Sequence, residues 1–126
     1  MIEKLIFVAV GGACGAILRF LSVTTFARMM GDVSWGTLFV NVVGSLVMGL
    51  SVAILAERFP DAAQRLMPLI TVGFLGAFTT FSAFSLDAIR LIEDGKIVWA
   101  TAYIVGSVLL SVLALAAGLF IGRAFD

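Results

Sequence analysis

The chain has 126 residues, of which 62% are hydrophobic and 13% charged, with eight Lys or Arg against eight Asp or Glu. A soluble domain of ordinary type carries about 25% charged residues, so this chain has too few to cover a water-facing surface. The balanced charge excludes a nucleic-acid-binding surface, and the absence of His excludes imidazole metal sites and histidine acid–base catalysis.

A helix needs about 20 mostly apolar residues to cross the hydrocarbon core. Four segments qualify, and they predict one all-α membrane domain over residues 1–126. The first span is Leu5–Phe26. Glu3 and Lys4 precede it much as in a signal peptide, but three similar segments follow, so it reads as a retained span. Gly11 and Gly15 place small residues four apart, a spacing that lets helix backbones approach closely. Cys14 lies among these glycines and reads as a small packing residue, with no second cysteine for a disulfide. Arg19, in the last third of the span, can snorkel to the interface or draw an anion to a vestibule.

The second span is Trp35–Ala56. Asn41 sits near its middle, with two donor hydrogens and two acceptor lone pairs to satisfy. It is either interhelical glue or a donor lining a pathway. Ser45 and Gly49 repeat the small-residue spacing and read as packing.

The third span, Leu66–Leu91, carries the most information. In Gly73-Phe74-Leu75-Gly76-Ala77-Phe78-Thr79-Thr80-Phe81-Ser82, two glycines and two adjacent threonines weaken helical continuity in mid-membrane. A break there predicts a helix end near Gly76 offering carbonyl oxygens, and a helix start near Thr80 offering amides. Groups freed in lipid must be satisfied by protein, water or an ion. A cation would need more oxygens than one break supplies, and a two-fold axis would double them. Phe81 and Phe84 share a face, and aromatic ring edges carry positive potential suited to a small, hard anion.

The fourth span is Ile97–Ile121. Tyr103, Ser107 and Ser111 make a hydroxyl stripe at four-residue spacing, and Ala114, Gly118 and Gly122 a small-residue stripe. Serines in membrane helices often bond back to their own backbone; otherwise such a stripe offers donors to a permeating ion. The connections ARMMGDVS, ERFPDAAQR and IEDGK gather charges and turn formers, and Trp35 and Trp99 mark span starts. No carboxylate lies near the middle of a span. Asp87 is the deepest, and Asp126 stands at the chain end. Proton-coupled carriers need a titratable midplane group, so the pattern favours passive conduction.

With four spans, both ends and the second connection share a side. That side holds Lys4, Arg58, Arg65 and Arg123; the other holds Arg28, Arg90 and Lys96. Four basic residues against three do not fix an orientation. Insertion both ways, giving an antiparallel homodimer, stands level with a single orientation on this count.

Together, GGACGAILRF, GTLFVNVVGS, GFLGAFTTFSAFS and the Tyr103/Ser107/Ser111 stripe resemble the Fluc/CrcB fluoride channel family along essentially the whole chain. The resemblance implies an antiparallel dual-topology homodimer in the cell inner membrane that passively exports fluoride through two pores. It implies a structural sodium ion on the two-fold axis, held by the backbone carbonyls of Gly76 and Thr79 from each copy. It places Asn41, Thr80, Phe81, Phe84, Tyr103, Ser107 and Ser111 along the fluoride pathway and Arg19 near a vestibule. Ala77 stands where the family often has glycine, Ala83 where it often has threonine, and Asp87 where it usually has glutamate. Two other readings predict different behaviour. A small multidrug exporter would need a membrane-embedded glutamate in the first span, where only Glu3 stands at the end. A non-transporting assembly subunit would pass no ion.

Overall fold

The computed structural model describes residues 1–124; Asp126, expected at the chain end, lies outside the described residues. Among the described residues are four helices long and apolar enough to cross a membrane: Ile2–Met30, Val33–Arg58, Pro60–Glu93 and Ile97–Ala124. The chain is a multi-pass membrane protein. We label the first two α1 (Ile2–Met30) and α2 (Val33–Arg58). The third span is composite. It runs as α3 (Pro60–Met67), a π-helical segment (Pro68–Leu75), a short turn α4 (Gly76–Phe78) and, after a break, α5 (Phe81–Glu93). The last is α6 (Ile97–Ala124).

The connections are shorter than the sequence suggests, because local chemistry ends each helix sharply. Gly31, at φ 85°, closes α1 by donating its amide to Ala27 O. Only a residue without a side-chain penalty adopts that left-handed conformation cheaply. Asp32 then caps α2 by accepting from the Ser34 amide at 2.9 Å. ERFPDAAQR shrinks to little more than Phe59, because Pro60 opens a new helix at its first turn, where its missing N–H costs nothing. Gly95, at φ 77°, turns the chain from α5 into α6.

The π-helical segment was not foreseen. Pro68 cannot donate an amide within a helix, and the following residues relax to wider spacing. The Gly76 amide reaches Thr71 O, five residues back.

Glycines set how the helices pack. A Cβ on Gly49 would collide with Leu115 O, and one on Gly118 with Leu46 O, so α2 and α6 touch backbone to backbone. Cβ atoms on Gly11 and Gly15 would strike Leu69 O and Phe74 O, which brings α1 against the π-helical segment. Gly73, expected to weaken the third helix, instead sits 3.2 Å (from its notional Cβ) from Gly11 Cα and serves this contact. Cys14 is exposed rather than packed, because Gly11 and Gly15 take the inner face of α1. A small core of Phe84, Ala88, Leu91, Ala100 and Tyr103 joins α5 to α6. Trp35 and Trp99 pair at 5.1 Å, so α2 and α6 begin at the same end of the bundle.

This packing predicts a contrast on one helix. Gly118→Ala drives a methyl into the α2 backbone and should cost about 1–3 kcal/mol. Gly106→Ala meets nothing within 4 Å and should stay within about 0.5 kcal/mol of the parent. Thermal unfolding of the two variants in detergent checks this.

Candidate permeation site

The third span breaks at Thr79–Thr80, a few residues beyond the expected helix end near Gly76. Both threonines are extended, with φ −90°, ψ 160° at Thr79 and φ −154°, ψ 123° at Thr80. The polar groups of Thr80 each find a specific partner. The Thr80 amide donates to Asn41 Oδ1 at 2.8 Å, and Asn41 Nδ2 donates to Thr80 O at 3.0 Å. The Thr80 hydroxyl caps α5 by accepting from the Ala83 amide at 3.1 Å. The Thr79 hydroxyl donates to Leu75 O at 2.9 Å.

These bonds determine which carbonyls are given up. In a continuous helix the Thr80 amide would bond Gly76 O, and the Ala83 amide would bond Thr79 O. Asn41 takes the first amide and the Thr80 hydroxyl takes the second. The two carbonyls expected to hold a cation are thus among those whose helical partners are drawn away; Ala77 and Phe78 lose theirs as well. Gly76 lies on the exposed side of the chain and Thr79 is half-buried. Among the described residues no group of three or more His, Cys, Asp or Glu gathers. A cation held here would rest on hard backbone oxygens, which suits a small alkali ion.

Beside the break lies an open cavity of about 230 Å³. Asn41 and Ser45 line it from α2, and Ser107, Val108 and Ser111 from α6. Thr79, Thr80, Phe81 and Phe84 complete it. The Ser107 hydroxyl is fully buried with no hydrogen-bond partner, so it does not bond back to its own helix. An unpaired hydroxyl in a low-dielectric pocket is a donor awaiting an acceptor. The Asn41 amide keeps a second N–H beyond the one it gives Thr80. Phe84 is buried, with its ring centre 5.6 Å from that of Phe81 at an interplanar angle of 48°. Phe81 lines the same cavity yet is 78% exposed, so one side of its ring faces out of this chain.

Two expected residues stand apart from the cavity. Tyr103 is 1% exposed, with its ring 5.3 Å from Phe84. Its hydroxyl donates to Asp87 Oδ2 at 3.0 Å, so it caps the far side of Phe84. Arg19, half-buried on α1, is not among the lining residues. Ser45 was read as packing alone; its position one turn beyond Asn41 was the available signal. Asp87, despite its short side chain, reaches both Tyr103 and, at 3.8 Å, Arg90. Arg90 also donates to Asp32 at 2.8 Å and holds the Asp32 carboxyl below the usual carboxylate range. Glu3, the only acidic residue of the first helix, pairs with Arg65 in an exposed position at the opposite end. That removes the embedded carboxylate a proton-driven exporter requires.

The family model described as "CrcB-like protein, Camphor Resistance (CrcB)" matches residues 6–119. A protein of Rhizobium leguminosarum bv. trifolii named "Fluoride-specific ion channel FluC" is 51% identical over 125 residues, covering 98% of each chain. One of the same name from Rhizobium johnstonii is 51% identical over 120 residues, covering 94% of this chain and 95% of its own. Another, from Paracoccus denitrificans, is 47% identical over 116 residues, covering 92% and 91%.

The Asn41 bonds predict a stability effect. Asn41→Ala leaves the Thr80 amide and carbonyl without their partner and should cost about 2–4 kcal/mol. Ser45→Ala removes a hydroxyl from the same cavity wall without breaking such a bond and should change stability by less than about 0.5 kcal/mol. Thermal unfolding in matched detergent distinguishes them.

Proposed function

The chain belongs to the CrcB-like family, and from that premise we propose that it is a fluoride-selective channel of the inner membrane. It acts by passive export and is not an enzyme. The observation that carries this reading is the cavity at the Thr79–Thr80 break, where an unpaired Ser107 hydroxyl stands beside the Phe84 ring. Relatives named as fluoride-specific channels, similar along nearly their whole length, support it.

Fluoride holds its water tightly, so the pathway must offer hard donors in place of that water. The second N–H of Asn41 and the hydroxyls of Thr80, Ser107 and Ser111 supply them. The ring edges of Phe81 and Phe84 add weak positive potential without a full charge that would trap the ion. The Tyr103 phenol closes the far side of Phe84. Arg19, on α1, raises the local anion concentration at a vestibule. A larger, softer halide gains less from these donors and fits the space less well. The negative-inside potential, worth about 2.3 kcal/mol per charge per 100 mV, drives the anion outward without ATP. That corresponds to about a fiftyfold concentration ratio per 100 mV.

The working unit in this reading is an antiparallel dual-topology homodimer. The outward ring of Phe81 and the exposed position of Gly76 suit a second copy across a two-fold axis. The near-equal distribution of basic residues between the two ends suits insertion both ways. The carbonyls of Gly76 and Thr79, two from each copy, would hold a structural sodium ion. When bound, that ion supplies a fixed positive charge that ties the two breaks together.

Liposomes loaded with fluoride and fitted with a fluoride electrode test the reading. The reconstituted protein should release fluoride and retain chloride, and Phe84→Ile should slow fluoride release by about tenfold or more. Equal release of chloride contradicts selectivity. Replacing sodium by a large organic cation should weaken the dimer on gel filtration, and an unchanged dimer contradicts the sodium assignment.

A further inference from the structure

Beyond Phe84, α5 carries a charged chain of residues that the channel reading leaves without a role. Asp87 follows Phe84 by one turn of α5, and Arg90 follows Asp87 by another. Asp87 is 5% exposed, and a bare carboxylate at that depth would repel any anion approaching Phe84. Two groups face it. On α6 the Tyr103 hydroxyl donates to its Oδ2 at 3.0 Å. On α5 itself the Arg90 guanidinium lies 3.8 Å from its Oδ1. On α2 the buried Thr37 hydroxyl donates to Val33 O at 3.3 Å and carries no charge.

Arg90 is held in place from the other side. Its Nη2 donates to Asp32 Oδ1 at 2.8 Å, and that oxygen also accepts the Ser34 amide. Asp32 needs no further cation, because it sits at the N-terminus of α2, where the helix end is positive. Asp94, at the end of α5, acts on Arg90 only at longer range. The same guanidinium nitrogen thus stands at hydrogen-bond distance from Asp32 and within ion-pair reach, 3.8 Å, of Asp87.

Resting on the fluoride reading, we propose that Arg90 is a positioning residue for anion passage: it steadies Asp87 beside Tyr103 and offsets part of the negative charge that would otherwise bar this end of the pathway. Asp32 anchors the guanidinium by its carboxylate. The expected glutamate is replaced here by the shorter Asp87, and Arg90 stands within reach of that shorter side chain.

The test uses full-length protein in fluoride-loaded liposomes, with release from protein-free vesicles subtracted. Wild type and Arg90→Lys should release fluoride at rates within about twofold of each other. Arg90→Gln should be at least about tenfold slower. Arg90→Gln combined with Asp87→Asn should return to within about threefold of wild type. A merely structural role for Arg90 does not predict that rescue. A folded Arg90→Gln protein that matches wild type, or whose slow rate is not relieved by Asp87→Asn, overturns the proposal. Should Arg90→Gln fail to fold, Asp87→Asn alone decides: release at least as fast as wild type supports it, and slower release overturns it. A wild type that passes no fluoride overturns both this inference and the channel reading, whereas failure of the inference alone leaves wild-type release intact.

Discussion

Two hydrogen bonds between the Asn41 side chain and the Thr80 backbone keep the third span from closing into a continuous helix. Thr80 would otherwise return its amide to Gly76 O, as helices do in lipid, where no water competes. Asn41 satisfies both the donor and the acceptor of one residue at once. The Thr80 hydroxyl, capping α5, fixes where the next helix begins. The candidate functional groups of the third span are placed by this junction. Phe81 and Phe84 take their direction from the first turn of α5, and the Gly76 and Thr79 carbonyls are left by the diverted amides.

The surrounding packing holds Asn41 within reach. Gly44, one turn past Asn41, gives up its side chain so that the Thr79 methyl can lie against α2; a Cβ there would collide with it. The Gly49–Gly118 contact brings α6 close enough for Ser107 and Ser111 to face Asn41 and Ser45 across the cavity. On the other side, Gly11 and Gly15 let α1 grip the π-helical segment just before the break. The glycines thus act through proximity, and the conformational freedom of glycine is used only at Gly31 and Gly95.

Much of this was legible in the sequence, for physical reasons that differ by element. The four spans follow from hydropathy, because lipid demands long apolar helices. The interruption of the third span followed from clustered glycine and threonine, although the glycines stay helical and the threonines do the breaking. The π-helical turn was not legible, since Pro68 permits several local adjustments and tertiary contact with α1 selects one. The short second connection was hidden by its charge, which reads as loop although Pro60 starts a helix there. Asn41 could not be assigned to glue or pathway from position alone; the structure shows it bonded to Thr80 and also lining the cavity. Ser45 looked like packing because small-residue spacing and a polar wall leave the same mark on a helix. The Asp32–Arg90–Asp87 chain was invisible, because residues 32 and 90 meet only through the fold.

The most direct measurement is amide hydrogen exchange at Thr79 and Thr80, read by NMR on threonine-labelled protein in lipid nanodiscs. In wild type both amides should exchange slowly, Thr79 through Leu75 O and Thr80 through Asn41. With Asn41 replaced by Ala, the Thr80 amide should lose its protection while Thr79 keeps its own. Equal protection of Thr80 in both proteins would mean that its amide has another partner, and the break would not depend on Asn41.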